Sequence, residues 1–168
     1  FVGIEIPINM YLGIDTTDGE HYDLQFVGRV DGVHYSDRTR TTIVVEENKT
    51  ASRLDTSWSA AFVLGHQPTG YILAVGAMLE EEVTRAIIRG MAIPLPKTYD
   101  YGGIVNEPVN RTQLQFVEWA EWVIHPLDVT QPYLDKPLNA PKYTHSCNRY
   151  FRACPLIPFC DSDYDDRQ

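Results

Sequence analysis

The sequence predicts an α/β domain: a small mixed sheet that opens as an antiparallel meander, flanked by helices and followed by a cysteine-bearing coil. Three observations predict it. Apolar residues recur with the period of two that marks a half-buried strand from Phe1 to Ile14, and strand-like runs follow at His21–Val33 and Thr41–Val45. After Asp55 the apolar spacing widens and helix-start residues appear. Across 112–124, Leu114, Phe116, Val117, Trp119 and Val123 define an amphipathic helix. No repeat and no linker-like stretch divides the 168 residues, so 1–168 reads as a single domain, with a core over 1–140 and a cysteine tail over 141–168.

Val2, Ile4, Ile6, Ile8, Met10 and Leu12 give a first strand from Phe1 to Ile14. Asp15 to Glu20 is rich in Asp, Thr and Gly and reads as a turn. His21 to Val33 is a second strand, carrying Leu24, Phe26, Val30 and Val33. Asp37-Arg38-Thr39-Arg40 connects it to a third, Thr41-Thr42-Ile43-Val44-Val45, which delivers Glu46 and Glu47 at its end. Asp55-Thr56-Ser57 offers a helix cap ahead of Trp58, and Phe62, Leu64, Tyr71, Leu73 and Val75 continue a broadly apolar helix kinked near Pro68-Thr69-Gly70. Val83 to Ile93 returns to strand composition and stops at Pro94 and Pro96. From His125 onward the chain is irregular and rich in Pro, Tyr and Cys.

Charge and composition exclude some functions. With 23 acidic against 14 basic residues the net charge is −9, which argues against nonspecific coating of nucleic acid, since that binding is driven by counterion release from many neutralised phosphates. A local basic groove from Arg29, Arg38, Arg40, Lys49 and Arg53 is still available. The longest apolar stretch, Ala60 to Leu79, is interrupted by His66, Gln67 and Pro68, so no membrane span is expected. Three cysteines do not close a disulfide framework, and no signal segment is recognisable, so the expected compartment is cytoplasmic. Because the chain opens at Phe1 directly in a strand, its true N-terminus is expected upstream. Asn48-Lys49-Thr50 and Asn110-Arg111-Thr112 match the glycosylation triplet, which matters only in a secreted chain.

The residues with chemical potential are Gly28-Arg29-Val30-Asp31-Gly32 and Glu46-Glu47-Asn48-Lys49-Thr50. Neighbouring antiparallel strands would set Asp31 beside Glu47, and two carboxylates that close call for a cation between them, a hard divalent ion such as Mg2+ or Mn2+. Lys49, two residues past Glu47, shares its face of an extended chain and can orient water or offset phosphate charge. Gln67 and Tyr71, four apart on a helix, can both donate toward the strand ends. His21, His34 and His66 read as surface or satisfied core residues, and Trp119 and Trp122 as packing.

Taken in order, Gly28-Arg29-Val30-Asp31, Glu47-Asn48-Lys49-Thr50 and Gln67 with Tyr71 resemble the PD-(D/E)XK nuclease superfamily, in particular its RecB-like exonuclease branch of phage and CRISPR-adaptation nucleases. The resemblance covers roughly residues 2–79 and the cysteine tail, and it implies a restriction-endonuclease-like core. It implies that Asp31 and Glu47 bind the metal with the backbone carbonyl of Asn48. It further implies that Lys49 is the catalytic lysine and that Gln67 and Tyr71 position DNA or that lysine. Arg29 and Arg53 are candidate phosphate contacts, and Glu5 stands where relatives often carry an acid. Relatives place an apolar or aromatic residue where this chain has Asn48, and carry a helical segment before the first strand that is expected to be missing here.

Cys147, Cys154 and Cys160, spaced six and five apart, leave three readings open: a metal–sulfur centre, zinc completed by His145 or His125, or plain thiols. Iron–sulfur members of the branch carry three such C-terminal cysteines and a fourth before the first strand, which implies a 4Fe-4S cluster whose fourth ligand is outside this chain. The implied activity is metal-dependent deoxyribonuclease, an exonuclease of viral or microbial recombination and repair, with DNA and a recombination or replication protein as partners. The alternative is an inactive nuclease-like scaffold that binds DNA or a partner.

Overall fold

The structure, a computed structural model, describes residues 2–15, 19, 21–93, 103–133, 148–149, 152–153 and 155. The chain divides into two compact units, Phe1–Ala120 and Glu121–Gln168.

In the first unit five strands form one sheet in the order β1-β2-β3-β4-β5. They are β1 (Gly3–Asp15), β2 (His21–Tyr35), β3 (Ile43–Ala51), β4 (Arg85–Ala92) and β5 (Ile104–Asn110). β1, β2 and β3 pair antiparallel, β3 and β4 parallel, and β4 and β5 antiparallel. The architecture is therefore the α/β arrangement the sequence predicts, a mixed sheet that opens as a meander. A parallel pair needs a crossover, here formed by helices α1 (Thr56–Val63) and α2 (His66–Leu79). Val30, Val33, Val45, Ile72, Val75 and Ile88 have no exposed surface and form the centre of the core between sheet and helices.

Besides α3, which runs past the expected end at Ile124 to Thr130, and a short ribbon at 148–149 and 152–153 in the expected coil, three elements differ from the sequence expectation. β3 starts later and runs further, because β4 pairs with it from Val44 to Ala51; Glu46, Glu47 and Lys49 are thus inside a strand and not at its end. The expected kinked helix is two helices, broken at Leu64 and Gly65, and Pro68 falls in the first turn of α2, where its missing N–H costs no helical bond. β5 is a strand that the sequence reading lacks: Pro108 and two asparagines disguise it, but an edge strand paired on one side tolerates them.

Local chemistry fixes the helix starts. Asp55 caps α1 by accepting from the Trp58 N–H at 3.0 Å, and the Ser57 hydroxyl donates to it at 2.8 Å. Helix α3 (Gln113–Thr130) opens with a capping box: the Gln115 amide oxygen accepts from the Thr112 N–H at 2.9 Å, and the Thr112 hydroxyl accepts from the Gln115 N–H at 3.4 Å. The part of α3 in the first unit carries Trp119, which is buried edge-on to Phe26 at 5.7 Å and donates its indole N–H to the His66 carbonyl at 3.0 Å. The second unit begins within α3 and contains a short 3-10 turn at Gln131–Tyr133 and a two-stranded ribbon, β6 (Asn148–Arg149) and β7 (Arg152–Ala153). Among the described residues no helix is long and apolar enough to cross a membrane.

Candidate functional site: a fork in the sheet

β2 pairs with β1 from Val33 to His21, but with β3 only from Tyr35 to Gly32. β3 leaves β2 after Glu46 and continues beside β4 to Ala51. The sheet therefore forks, and Asp31 and Glu47 face each other one step beyond the last bridged pair, Gly32 and Glu46. With no strand between the prongs, the backbone groups there need other partners. Asp31 supplies one: its Oδ2 accepts from the Asn48 N–H at 2.6 Å. The N–H and C=O of one strand residue point to the same edge, so the Asn48 carbonyl faces the β2 side as well. The Asn48 side chain is exposed, which is why a polar residue is accommodated at this position.

Glu47 is 6% exposed. Its Oε1 accepts from the Lys49 ammonium at 2.5 Å, while Oε2 is buried and has no hydrogen-bond partner. Burial pushes the Glu47 carboxyl above its ordinary range, the Lys49 contact pulls it back, and the nearby Asp31 charge pushes it further up. The fork thus holds a desolvated acid with one satisfied oxygen, one orphaned oxygen and a second acid facing it.

Two aromatic residues close around glycines of β2 and β4. A Cβ on Gly28, three residues before Asp31, would lie 2.9 Å from the Tyr71 ring, and the Tyr71 hydroxyl accepts from the Gln67 amide at 3.1 Å. A Cβ on Gly90, the β4 partner of Lys49, would lie 2.5 Å from the Trp58 ring. Trp58 thus packs on the β4 partner of Lys49, a contact the sequence reading passed over; a glycine inside a strand is the signal for such close approach.

Other candidates lie elsewhere. Arg29 is exposed and donates to Glu5 at 3.3 Å. Glu5 occupies the β1 position opposite Asp31 with φ of +52°, a left-handed conformation that costs a non-glycine residue about 1–3 kcal/mol and tends to occur at functional sites. Arg53 is exposed next to α1; the Asp55 carboxyl is held below its usual range by the Ser57 and Trp58 hydrogen bonds, to which the Arg53 charge adds. Cys147, Cys154, Cys160 and His145 lie outside the described residues. Among the described residues no group of three or more His, Cys, Asp or Glu side chains is gathered to hold a metal.

No family model matches the chain and no curated protein matches it. The chemistry at the fork therefore has to carry the function. Two carboxylates plus a carbonyl are hard oxygen donors, the set that suits Mg2+ or Mn2+, which keep several waters and need only one or two protein carboxylates. The orphaned Oε2 of Glu47 is the group such an ion would satisfy, so the residues fit a divalent cation.

Proposed function

We propose that this chain is a metal-dependent DNA nuclease of the PD-(D/E)XK type, a phosphodiester hydrolase acting in recombination, repair or viral DNA processing within the cytoplasm. One observation supports it above the rest: Glu47, buried with Oε2 unpartnered, faces Asp31 at the mouth of the fork with Lys49 on the same strand face. A divalent ion bound there would activate a water molecule and stabilise charge on the phosphate. Asp31, Glu47 and the Asn48 carbonyl would hold that ion. Lys49 would orient the water or offset phosphate charge, since its amine reaches the fork beside Glu47 and its side chain is 31% exposed. Tyr71, pinned by Gln67 and packed on Gly28, would keep the β2 prong in place under the substrate.

A second reading, a nuclease-like scaffold that binds DNA without cutting it, is favoured by the absence of a third metal-ligating side chain among the described residues. Labelled linear DNA incubated with Mg2+ or Mn2+ separates the two. Cleavage that disappears in Lys49→Ala supports the nuclease; equal DNA binding with no cleavage in either protein supports the scaffold. Under the nuclease reading the three C-terminal cysteines would hold a 4Fe-4S cluster, to be checked by iron analysis and broad visible absorbance of anaerobic preparations.

A further inference from the structure

We propose that Lys49 is the resident counter-ion of Glu47, and that a divalent metal ion binds at the fork in competition with it. This inference rests on the metal-site reading above and concerns how tightly that site loads. A carboxylate as buried as Glu47 requires a compensating positive charge. Lys49 supplies it through Oε1 at 2.5 Å, while Oε2 has no partner and Asp31 adds a second negative charge across the fork. Among the described residues the fork thus brings together two anions, Asp31 and Glu47, and one cation, Lys49. A divalent ion placed on Oε2 would lie within a few ångströms of the ammonium, where like charges repel strongly in a partly desolvated site. The Lys49 side chain is 31% exposed, so its amine has water to withdraw into when the metal arrives.

The neighbouring Glu46 shows what full commitment looks like. Arg89 meets both of its oxygens, at 2.6 and 3.1 Å, and leaves neither for a metal. Lys49 meets only one oxygen of Glu47, so the site is neutralised without being closed.

The test is Mn2+ binding, measured by titration calorimetry and by the loss of free-ion EPR signal, without DNA. Lys49→Met is expected to bind Mn2+ at least about tenfold more tightly than wild type. Lys49→Arg, which keeps the charge, is expected to stay within about threefold of wild type, and Glu47→Gln to lose binding. Tighter binding in Lys49→Met alongside lost cleavage establishes the competition. Equal or weaker binding in Lys49→Met, with Glu47-dependent binding intact in wild type, overturns the competition and leaves the nuclease reading standing. Absence of Mn2+ binding in every form overturns both. Should Lys49→Met be unfolded without metal, recovery of its near-ultraviolet spectrum on adding Mn2+ supports the inference, and failure to recover overturns it.

Discussion

Glu46 and Glu47 are consecutive residues of β3, and the strand turns them to opposite faces of the sheet. On one face Glu46 is held by both terminal nitrogens of Arg89, itself tied to Asn106 at 3.4 Å. On the other face Glu47 is more deeply buried, yet it has one short contact to Lys49 and one oxygen with none. The bidentate pair is the geometry of a structural ion pair. A buried carboxylate with half its acceptors empty is a costly arrangement that a protein without a use for it would have little reason to keep. The same residue type, one position apart, is thus fully paired in one case and half-paired in the other, and burial alone does not separate them: what differs is satisfaction.

Under the nuclease proposal, the largest effect expected from this contrast is on cleavage. Glu47→Gln is expected to lower the rate of DNA cleavage by at least about a hundredfold, a loss typical of removing one group that stabilises transition-state charge. Asp31→Asn is expected to do the same, whereas Glu46→Gln leaves the rate within about twofold. In thermal unfolding of the metal-free protein the order reverses. Glu46→Gln is expected to lose about 1 kcal/mol, the value of a charged pair discounted for the partial exposure of Arg89. Glu47→Gln is expected to be at least as stable as wild type at pH 7. Equal behaviour of the two variants in both assays would erase the distinction.

Next in size is a test of what holds the fork's helices. Arg111 is 6% exposed and donates to the Thr69 hydroxyl at 2.7 Å and to the carbonyls of Asn110, Phe62 and Gly65 at 3.0, 3.3 and 3.3 Å. It joins the α1–α2 break to the β5–α3 junction, and its burial lowers its own pKa. Arg111→Met removes those four bonds, leaving the Phe62 and Gly65 carbonyls their bonds from the Gly65 N–H and the Thr69 hydroxyl, and is expected to cost about 3 kcal/mol in urea unfolding, since charged hydrogen bonds contribute about 1.5–3 kcal/mol each but are not additive. Gly90→Ala, whose Cβ would press on Trp58 and Leu54, is expected to cost about 2 kcal/mol, the usual range for overpacking. Gly13→Ala is the control: its Cβ would meet only the exposed His21 ring at 3.3 Å, and little change is expected.

How much of this was legible in the sequence varies with the kind of force involved. The meander, the crossover helices and α3 follow from apolar period, which is local information. The register of Asp31 against Glu47 was legible too, because a turn of fixed length between two alternating strands leaves few pairings. The end of β3 was not: Glu46, Glu47 and Lys49 read as a strand terminus until β4, nearly forty residues away, pairs beside them. β5 was hidden for the same reason, since its proline and asparagines are tolerable only at an edge, and edge position is set by the whole sheet. Arg111 read as part of a glycosylation triplet, because nothing local reveals that a helix break forty-odd residues earlier presents the Phe62 and Gly65 carbonyls to it.

The smallest expected effects concern pH, and they set Glu47 against Asp37. Asp37 organises the β2–β3 turn, accepting from the Thr41 and Thr42 N–H groups at 3.1 Å each and from the Thr39 hydroxyl at 2.8 Å, and these bonds hold its carboxyl well below the ordinary 3.8. A lowered folded-state pKa contributes stability that is present above 3.8 and lost as pH falls toward the folded value. Glu47 has the opposite sign. Burial raises its folded-state pKa above the ordinary 4.5, so the native state holds that proton more tightly than the unfolded chain, and the ionised form at pH 7 is a cost. Metal-free Glu47→Gln should therefore show its full advantage over wild type at pH 7, and the advantage should shrink as pH falls through the raised value and vanish below 4.5. Asp37→Asn should show its full deficit at pH 7, a deficit that begins to shrink only below 3.8. Melting temperatures of the two variants and wild type between pH 3 and 7 check both trends, and an advantage of Glu47→Gln that persists unchanged at pH 4 would mean that the buried acid is not the strained member of the pair.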